Sequence, residues 1–172
     1  FLAPLAAILG LLFSIFTSKK ILKFPAGSEL MKKISTSIRR GAQAYLKRQY
    51  RVVLIFFILM FVVLLGLSFF DLLSIYVAFA FLTGGFFSGL SGYIGMRVAT
   101  TANARTANAA SQSLNKGLRI AFSAGSVMGF TVVSLGLIDI SLWYCLLTFV
   151  FKLPVEQVAA TMVTFSIGAS SM

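Results

Sequence analysis

The sequence of 172 residues contains no histidine, one cysteine and only four acidic residues. Without histidine, the chain lacks the commonest transition-metal ligand and the side chain that most readily carries protons near neutral pH. The single Cys145 excludes an internal disulfide and a cysteine metal cluster, and we interpret it as a small, buried apolar side chain. The four carboxylates lie far apart in the sequence. The chain therefore lacks the clustered carboxylates from which a protein usually builds a site for catalytic metal ions.

Hydrophobic residues are abundant: they make up 59% of the chain, which includes 18 phenylalanines, whereas only 11% of the residues are charged. This composition excludes an ordinary soluble domain. Apolar segments can be marked at roughly 1–17, 51–70, 72–96, 119–150 and 155–172. Because a spanning helix needs ~20 apolar residues, these segments predict an all-α fold, a polytopic bundle of about five transmembrane helices.

Both ends of the sequence suggest a larger protein. The first residue is Phe1 rather than methionine, and the last apolar segment, 155–172, stops without a polar flank. We therefore expect the natural chain to begin earlier and the fifth spanning helix to continue further. All 172 residues are interpreted as the N-terminal part of one transmembrane domain.

Basic residues indicate the orientation in the membrane. Ten of the fifteen lie between Lys19 and Arg51, and four more are Arg97, Arg105, Lys116 and Arg119. Because cytoplasmic loops are enriched in Lys and Arg, the connections 18–50 and 97–118 are predicted to be cytoplasmic. The net charge of +11 is thus a topology signal. No nucleic-acid partner is expected, since no soluble domain presents a basic face.

Acidic residues are assigned to the opposite side and to the ends of segments. Asp71, Asp139 and Glu156 are placed in or beside the external connections, together with Lys152. No segment is predicted to hold a charged residue near its middle, where a charge would indicate an ion pathway.

The first cytoplasmic connection contains a predicted amphipathic helix, "SELMKKISTSIRRGAQAYLKRQY", with Ser28 as its N-cap. Its apolar residues recur every three or four positions, and basic residues occupy the other faces. Two interpretations remain open: the helix binds anionic lipid, or it packs on its own protein.

Small residues mark two predicted helix-packing faces. Gly85, Gly89 and Gly92 form one stripe in the third segment, and Gly125 and Gly129 lie four residues apart in the fourth. Glycines at this spacing let helix backbones approach closely in lipid. A phosphate-binding glycine loop would need a lysine and a strand-to-helix context that are absent here.

Three long stretches carry a family resemblance: "GSELMKKISTSIRRGAQAYLKRQYR", "GMRVATTANARTANAA" and "GLRIAFSAGSVMGF". They resemble the N-terminal region of the membrane-bound, ion-translocating pyrophosphatases, and "FSIGASSM" is similar to the start of that family's fifth helix. The resemblance runs from about Gly27 to Met172. It implies a sixteen-helix homodimer in the lipid bilayer, which is the cell (inner) membrane if the source is a prokaryote. It also implies Mg²⁺-dependent pyrophosphate hydrolysis coupled to proton or sodium pumping, with K⁺ or Na⁺ as further cations.

In this family, an inner ring of six helices builds the substrate site and the ion gate. The resemblance places the first four spans in the outer ring, and only the fifth segment begins an inner helix. It therefore implies that Mg²⁺ binds to parts of the parent protein outside this chain. No catalytic, cofactor-binding or metal-binding residue is predicted here, and the chain alone is predicted to be inactive. The four basic residues between positions 97 and 119 either attract the anionic substrate or only determine the topology.

Ser170 is the one candidate for the ion path. The family pattern places it about two helical turns before an arginine expected at the gate, and its hydroxyl could coordinate a cation. A serine that bonds back to its own helix is the alternative. Two other functions stay open for the chain: a fragment of a secondary transporter, or a small non-catalytic membrane scaffold.

Overall fold

The computed structural model describes residues 2–170, which form helices joined by short turns, with no strand among them. The all-α prediction is confirmed. The helices are α1 (Leu2–Leu22), α2 (Glu29–Phe69), α3 (Ile75–Ala110), α4 (Leu114–Cys145) and α5 (Val155–Ser170). A π-helical turn, Leu146–Val150, extends α4.

Four helices are long and apolar enough to cross a membrane: α1, α2, α3, and α4 with its π turn. The protein is therefore an integral, multi-pass membrane protein. Several helices extend well beyond their predicted spans. The 41 residues of α2 reach about 60 Å, roughly twice the thickness of the hydrocarbon core. Most of the predicted connection 18–50 is thus the first half of α2.

The start of α2 follows its predicted cap. The Ser28 side chain accepts a hydrogen bond from the backbone N–H of Met31 at 3.3 Å, which confirms Ser28 as the N-cap. Gly27 precedes it with a φ of +84°, a conformation that a residue with a Cβ adopts only with strain.

The amphipathic half of α2 turns its apolar stripe away from the other described helices. Leu30, Ile34, Ile38 and Tyr45 are all exposed, whereas the small Ser35 is buried against α3. The Ser35 hydroxyl lies 3.5 Å from the Thr100 carbonyl oxygen. The first half of α2 continues without a break into its apolar second half, so both halves share one helix axis.

α3 lies at the centre of the bundle, in contact with α2, α4 and α5, while α1 packs mainly on α4. Two buried apolar clusters occupy opposite ends. The first joins α1, α3 and α4 through Ile21, Ala102, Ala109, Ile120 and Val127. The second joins α3, α4, the π turn and α5 through Ala80, Trp143, Leu147, Val158 and Phe165.

Candidate functional site at the contacts of α3

The contact between α3 and α5 is made by glycine on both sides. A Cβ atom added to Gly84 would lie 2.7 Å from the carbonyl oxygen of Phe165. A Cβ on Gly168 would overlap the carbonyl oxygen of Phe81. Because each glycine meets backbone rather than a movable side chain, the two helices touch main chain to main chain. This contact fixes the position of α5, which contains the candidate residue Ser170.

Ser170 is exposed, and its hydroxyl donates a hydrogen bond to the carbonyl oxygen of Ile167 at 3.1 Å. This is the back-bonding that the sequence left open as the alternative to an ion-path role. A serine hydroxyl that donates in this way keeps lone pairs with which it can accept a hydrogen bond or coordinate a cation. The ion-path role of Ser170 therefore stays a prediction.

The first glycine stripe lies against α2. A Cβ on Gly85 would overlap the ring of Phe57. One turn further, the Tyr50 hydroxyl donates to the carbonyl oxygen of Gly89 at 2.6 Å, and a Cβ on Gly92 would lie 3.5 Å from the same hydroxyl. Because these glycines have no side chain, the aromatic side chains of Phe57 and Tyr50 pack directly against the backbone of α3. This geometry supports a packing role for the stripe.

Gly125 and Gly129 lie on a different kind of surface. A Cβ at either position would meet no atom within 4 Å among the residues that the model describes. A helix packed against this pair would have to come from elsewhere in the protein, so their packing role stays a prediction.

The glycine that brings α4 and α1 together is one that spacing did not identify. A Cβ on Gly10 would overlap the side chain of Ser134. Beside it, the buried Ser14 hydroxyl donates to the carbonyl oxygen of Val127 at 3.3 Å. Gly10 is the only glycine in α1, so no repeat distinguished it from any other residue of an apolar helix.

Asp139, which was predicted to lie in or beside an external connection, lies within helix α4, where only 1% of its surface is exposed. Its position relative to the membrane stays a prediction. The Thr83 side chain of α3 lies close to the Asp139 carboxylate, and the Thr83 hydroxyl donates to the carbonyl oxygen of Ala80 at 3.2 Å. Trp143, one turn along α4, donates from Nε1 to the Thr83 hydroxyl oxygen at 2.8 Å. Within residues 2–170, Asp139 Oδ2 has no hydrogen-bond partner.

The sequence offered a partial signal for this network. Asp139 and Trp143 are four residues apart, which places both on one face of a helix. A carboxylate beside a tryptophan on the α3-facing side must find a donor, since burying it without one is costly. Cys145, predicted to be buried, is instead exposed, because it lies away from the face of α4 that carries Trp143.

Comparison with known proteins identifies the family. A family model described as inorganic H⁺ pyrophosphatase matches residues 8–172. The chain belongs to this pyrophosphatase family. It is 47% identical, over 99% of its length, to a protein of Bacteroides thetaiotaomicron whose name describes a K⁺-stimulated pyrophosphate-energized sodium pump. It is 42% identical, over 85% of its length, to a K⁺-insensitive pyrophosphate-energized proton pump of Methanosarcina mazei.

A second K⁺-insensitive proton pump, from Moorella thermoacetica, is 42% identical over 82% of the chain. These alignments cover 24%, 21% and 20% of the three relatives. The chain thus spans between a fifth and a quarter of the length of the curated relatives that it matches. The pyrophosphatase family includes relatives named as sodium pumps and relatives named as proton pumps, so membership alone does not define the ion.

The residues described here do not fit the Mg²⁺ that the pyrophosphatase resemblance implies. Between residues 2 and 170, no three His, Cys, Asp or Glu side chains come together to hold a metal ion. Glu29 pairs with Lys32 at 2.7 Å, and Asp139 is buried at the other end of the bundle. No catalytic step can be assigned to these carboxylates.

The four basic residues of the second predicted cytoplasmic connection separate into two groups. Arg105, Lys116 and Arg119 line one cavity between the ends of α1, α3 and α4. Arg97 is exposed and does not line it. In this part of the pyrophosphatase fold, positive charge therefore converges on one position.

Proposed function

We propose that this chain is the N-terminal part of a pyrophosphate-energised membrane ion pump, which couples pyrophosphate hydrolysis to the translocation of protons or sodium ions. The observation that carries the proposal is the family match over residues 8–172, in a chain with four helices able to span the membrane. Mg²⁺, the pyrophosphate site and a second copy in a homodimer belong to the parent protein. The parent protein is either K⁺-stimulated or K⁺-insensitive, because relatives named as each kind match this chain.

Within that pump, the helices described here act as a brace. α3 holds α5 through the Gly84 and Gly168 contacts, and α4 holds α3 through the hydrogen bond from Trp143 to Thr83. Backbone contact and buried hydrogen bonds resist displacement more than loosely packed side chains do. A helix that carries part of an ion path needs such support, since productive geometry tolerates only small shifts.

The brace is tested by activity. We expect the purified full-length protein to release phosphate from pyrophosphate when Mg²⁺ is present, and residues 1–172 expressed alone to release none. The reason is that the described part of the fragment has no carboxylate cluster for the metal. Phosphate release by the isolated fragment would show that the chain has a site of its own and would overturn the bracing role.

Ser170 has its own test in the full-length pump. We expect Ser170→Ala to change the dependence of ion uptake on ion concentration, because the hydroxyl is a potential ligand at the end of α5. Thr164→Ala is the control, since Thr164 also bonds back to its own helix, to Ala160 at 3.0 Å, and lies on another face. Equal effects of the two variants on uptake would remove Ser170 from the ion path.

The proposed orientation places the start of α2 in the cytoplasm and the turn between α2 and α3 outside. In a Cys145→Ala background, single cysteines at Ser37 and Leu72, both exposed, should react with an impermeant thiol reagent from opposite sides of sealed vesicles. Leu72 is preferred to Asp71, whose φ of +56° makes substitution there less reliable. Labelling of both cysteines from one side would refute this orientation.

A further inference from the structure

A cavity of about 400 Å³ opens where α1 ends, α3 ends and α4 begins. Four of the residues that line it are basic and none is acidic; the basic ones are Lys20, Arg105, Lys116 and Arg119. Phe24 and Ile120 give part of the wall an apolar character. The cavity thus combines a concentrated positive charge with an apolar side.

No carboxylate among the described residues neutralises the positive charge in this cavity. Over residues 2–170 the one ion pair is Lys32 with Glu29, and neither lines the cavity. Arg105 donates from Nη1 to the Thr101 carbonyl at 2.8 Å and from Nη2 to the Leu22 carbonyl at 3.4 Å, both uncharged acceptors.

The guanidinium of Arg105 also retains an unused donor. Its Nε is buried and has no hydrogen-bond partner among the described residues. The two carbonyls hold Arg105 in place without neutralising its charge. Arg105 therefore contributes an oriented positive charge to the wall of the cavity.

The general preference for positive charge on the cytoplasmic side does not explain this convergence. That preference determines which loops carry Lys and Arg. Exposed residues such as Arg39 and Arg40 satisfy it on a single helix, α2. It does not require basic residues from three helices to line one cavity.

We propose that this cavity binds a phosphate group, carried either by the headgroup of an anionic lipid or by a free phosphate anion. Arginine presents a planar set of donors that matches phosphate oxygens, and the lysines add point charges. Lys20 lies at the end of a 21-residue spanning helix, at the depth of lipid headgroups. The inference does not depend on pyrophosphate hydrolysis, since binding is measured without turnover.

The test compares two double variants of the full-length protein with equal loss of charge. Lys116→Gln with Arg119→Gln removes two exposed charges from the cavity, and Arg39→Gln with Arg40→Gln removes two exposed charges outside it. Delipidated protein is titrated with phosphatidylglycerol, followed by native mass spectrometry, and separately with inorganic phosphate in equilibrium dialysis. Phosphatidylcholine is the uncharged lipid control.

We expect the parent and the α2 variant to bind at least one probe, and the cavity variant to bind it ~10- to 30-fold more weakly, from the typical contribution of each surface cation. Binding of phosphatidylglycerol alone identifies a lipid site, whereas binding of inorganic phosphate identifies a site for free anions. Equal affinities of the two variants, or no binding of either probe by the parent, would overturn the proposal.

A single substitution, Lys20→Gln, guards against a folding defect in the double variant. Lys20 is exposed at the end of α1, on a different helix from Lys116 and Arg119. The Lys20→Gln substitution should weaken binding of the same probe by roughly 5-fold without lowering the melting temperature. Unchanged affinity in this variant would also contradict the proposed cavity.

Discussion

Gly168→Ala is expected to lower the melting temperature of the full-length protein and to reduce its activity. The added methyl group would overlap the Phe81 carbonyl, and only movement of α5 away from α3 can relieve the overlap. Overpacking of this kind costs about 1–3 kcal/mol. The measurement is thermal unfolding in detergent, followed by initial rates of phosphate release.

Gly66→Ala is the matched control for this substitution. Gly66 lies in α2, and a Cβ there would meet no described atom within 4 Å. Because alanine has a higher helix propensity than glycine, this variant should be as stable as the parent or slightly more stable. If Gly168→Ala and Gly66→Ala have the same melting temperature, the contact between α3 and α5 is not as close as the structure shows.

Thr83→Val is expected to destabilise the protein by about 1–3 kcal/mol, because it leaves a buried donor without its acceptor. The indole N–H of Trp143 loses the Thr83 hydroxyl oxygen. Asp139→Asn should cost less, since the hydrogen bond between Trp143 and Thr83 remains.

A double-mutant cycle with Trp143→Phe separates the hydrogen bond from general packing. Phenylalanine keeps an aromatic ring but has no N–H, so Thr83→Val should be less harmful in that background than in the parent. Contacting residues of one network typically show interaction energies of 0.5–3 kcal/mol. Strict additivity of the two substitutions in melting experiments would show that the Trp143–Thr83 bond contributes nothing to stability.

The sequence predicted the parts of the fold that follow from one-dimensional patterns. Four of the five apolar segments fall in helices long and apolar enough to cross a membrane, and Ser28 was correctly predicted as the cap of α2. The patterns could not show which face of a helix is covered. Gly10 and Gly168 each meet a neighbouring helix, whereas Gly125 meets none that is described.

Charge was the harder feature to predict. A carboxylate near the end of an apolar segment can reach water at the membrane surface or can be buried beside a hydrogen-bond donor. Hydropathy does not distinguish these two outcomes. Asp139 is buried where α4 packs on α3, one turn from the hydrogen bond between Trp143 and Thr83, two residues 60 positions apart in the sequence. Likewise, the basic residues predicted a side of the membrane, but only the fold brought Lys20, Arg105 and Lys116 to one cavity.

Ion uptake by sealed vesicles that contain the full-length protein tests the central claim most directly. Addition of pyrophosphate should drive accumulation of protons or sodium ions, in step with phosphate release, and Gly168→Ala should lower both rates. Uptake that proceeds on an imposed ion gradient but does not respond to pyrophosphate would contradict the account and would instead indicate a secondary transporter.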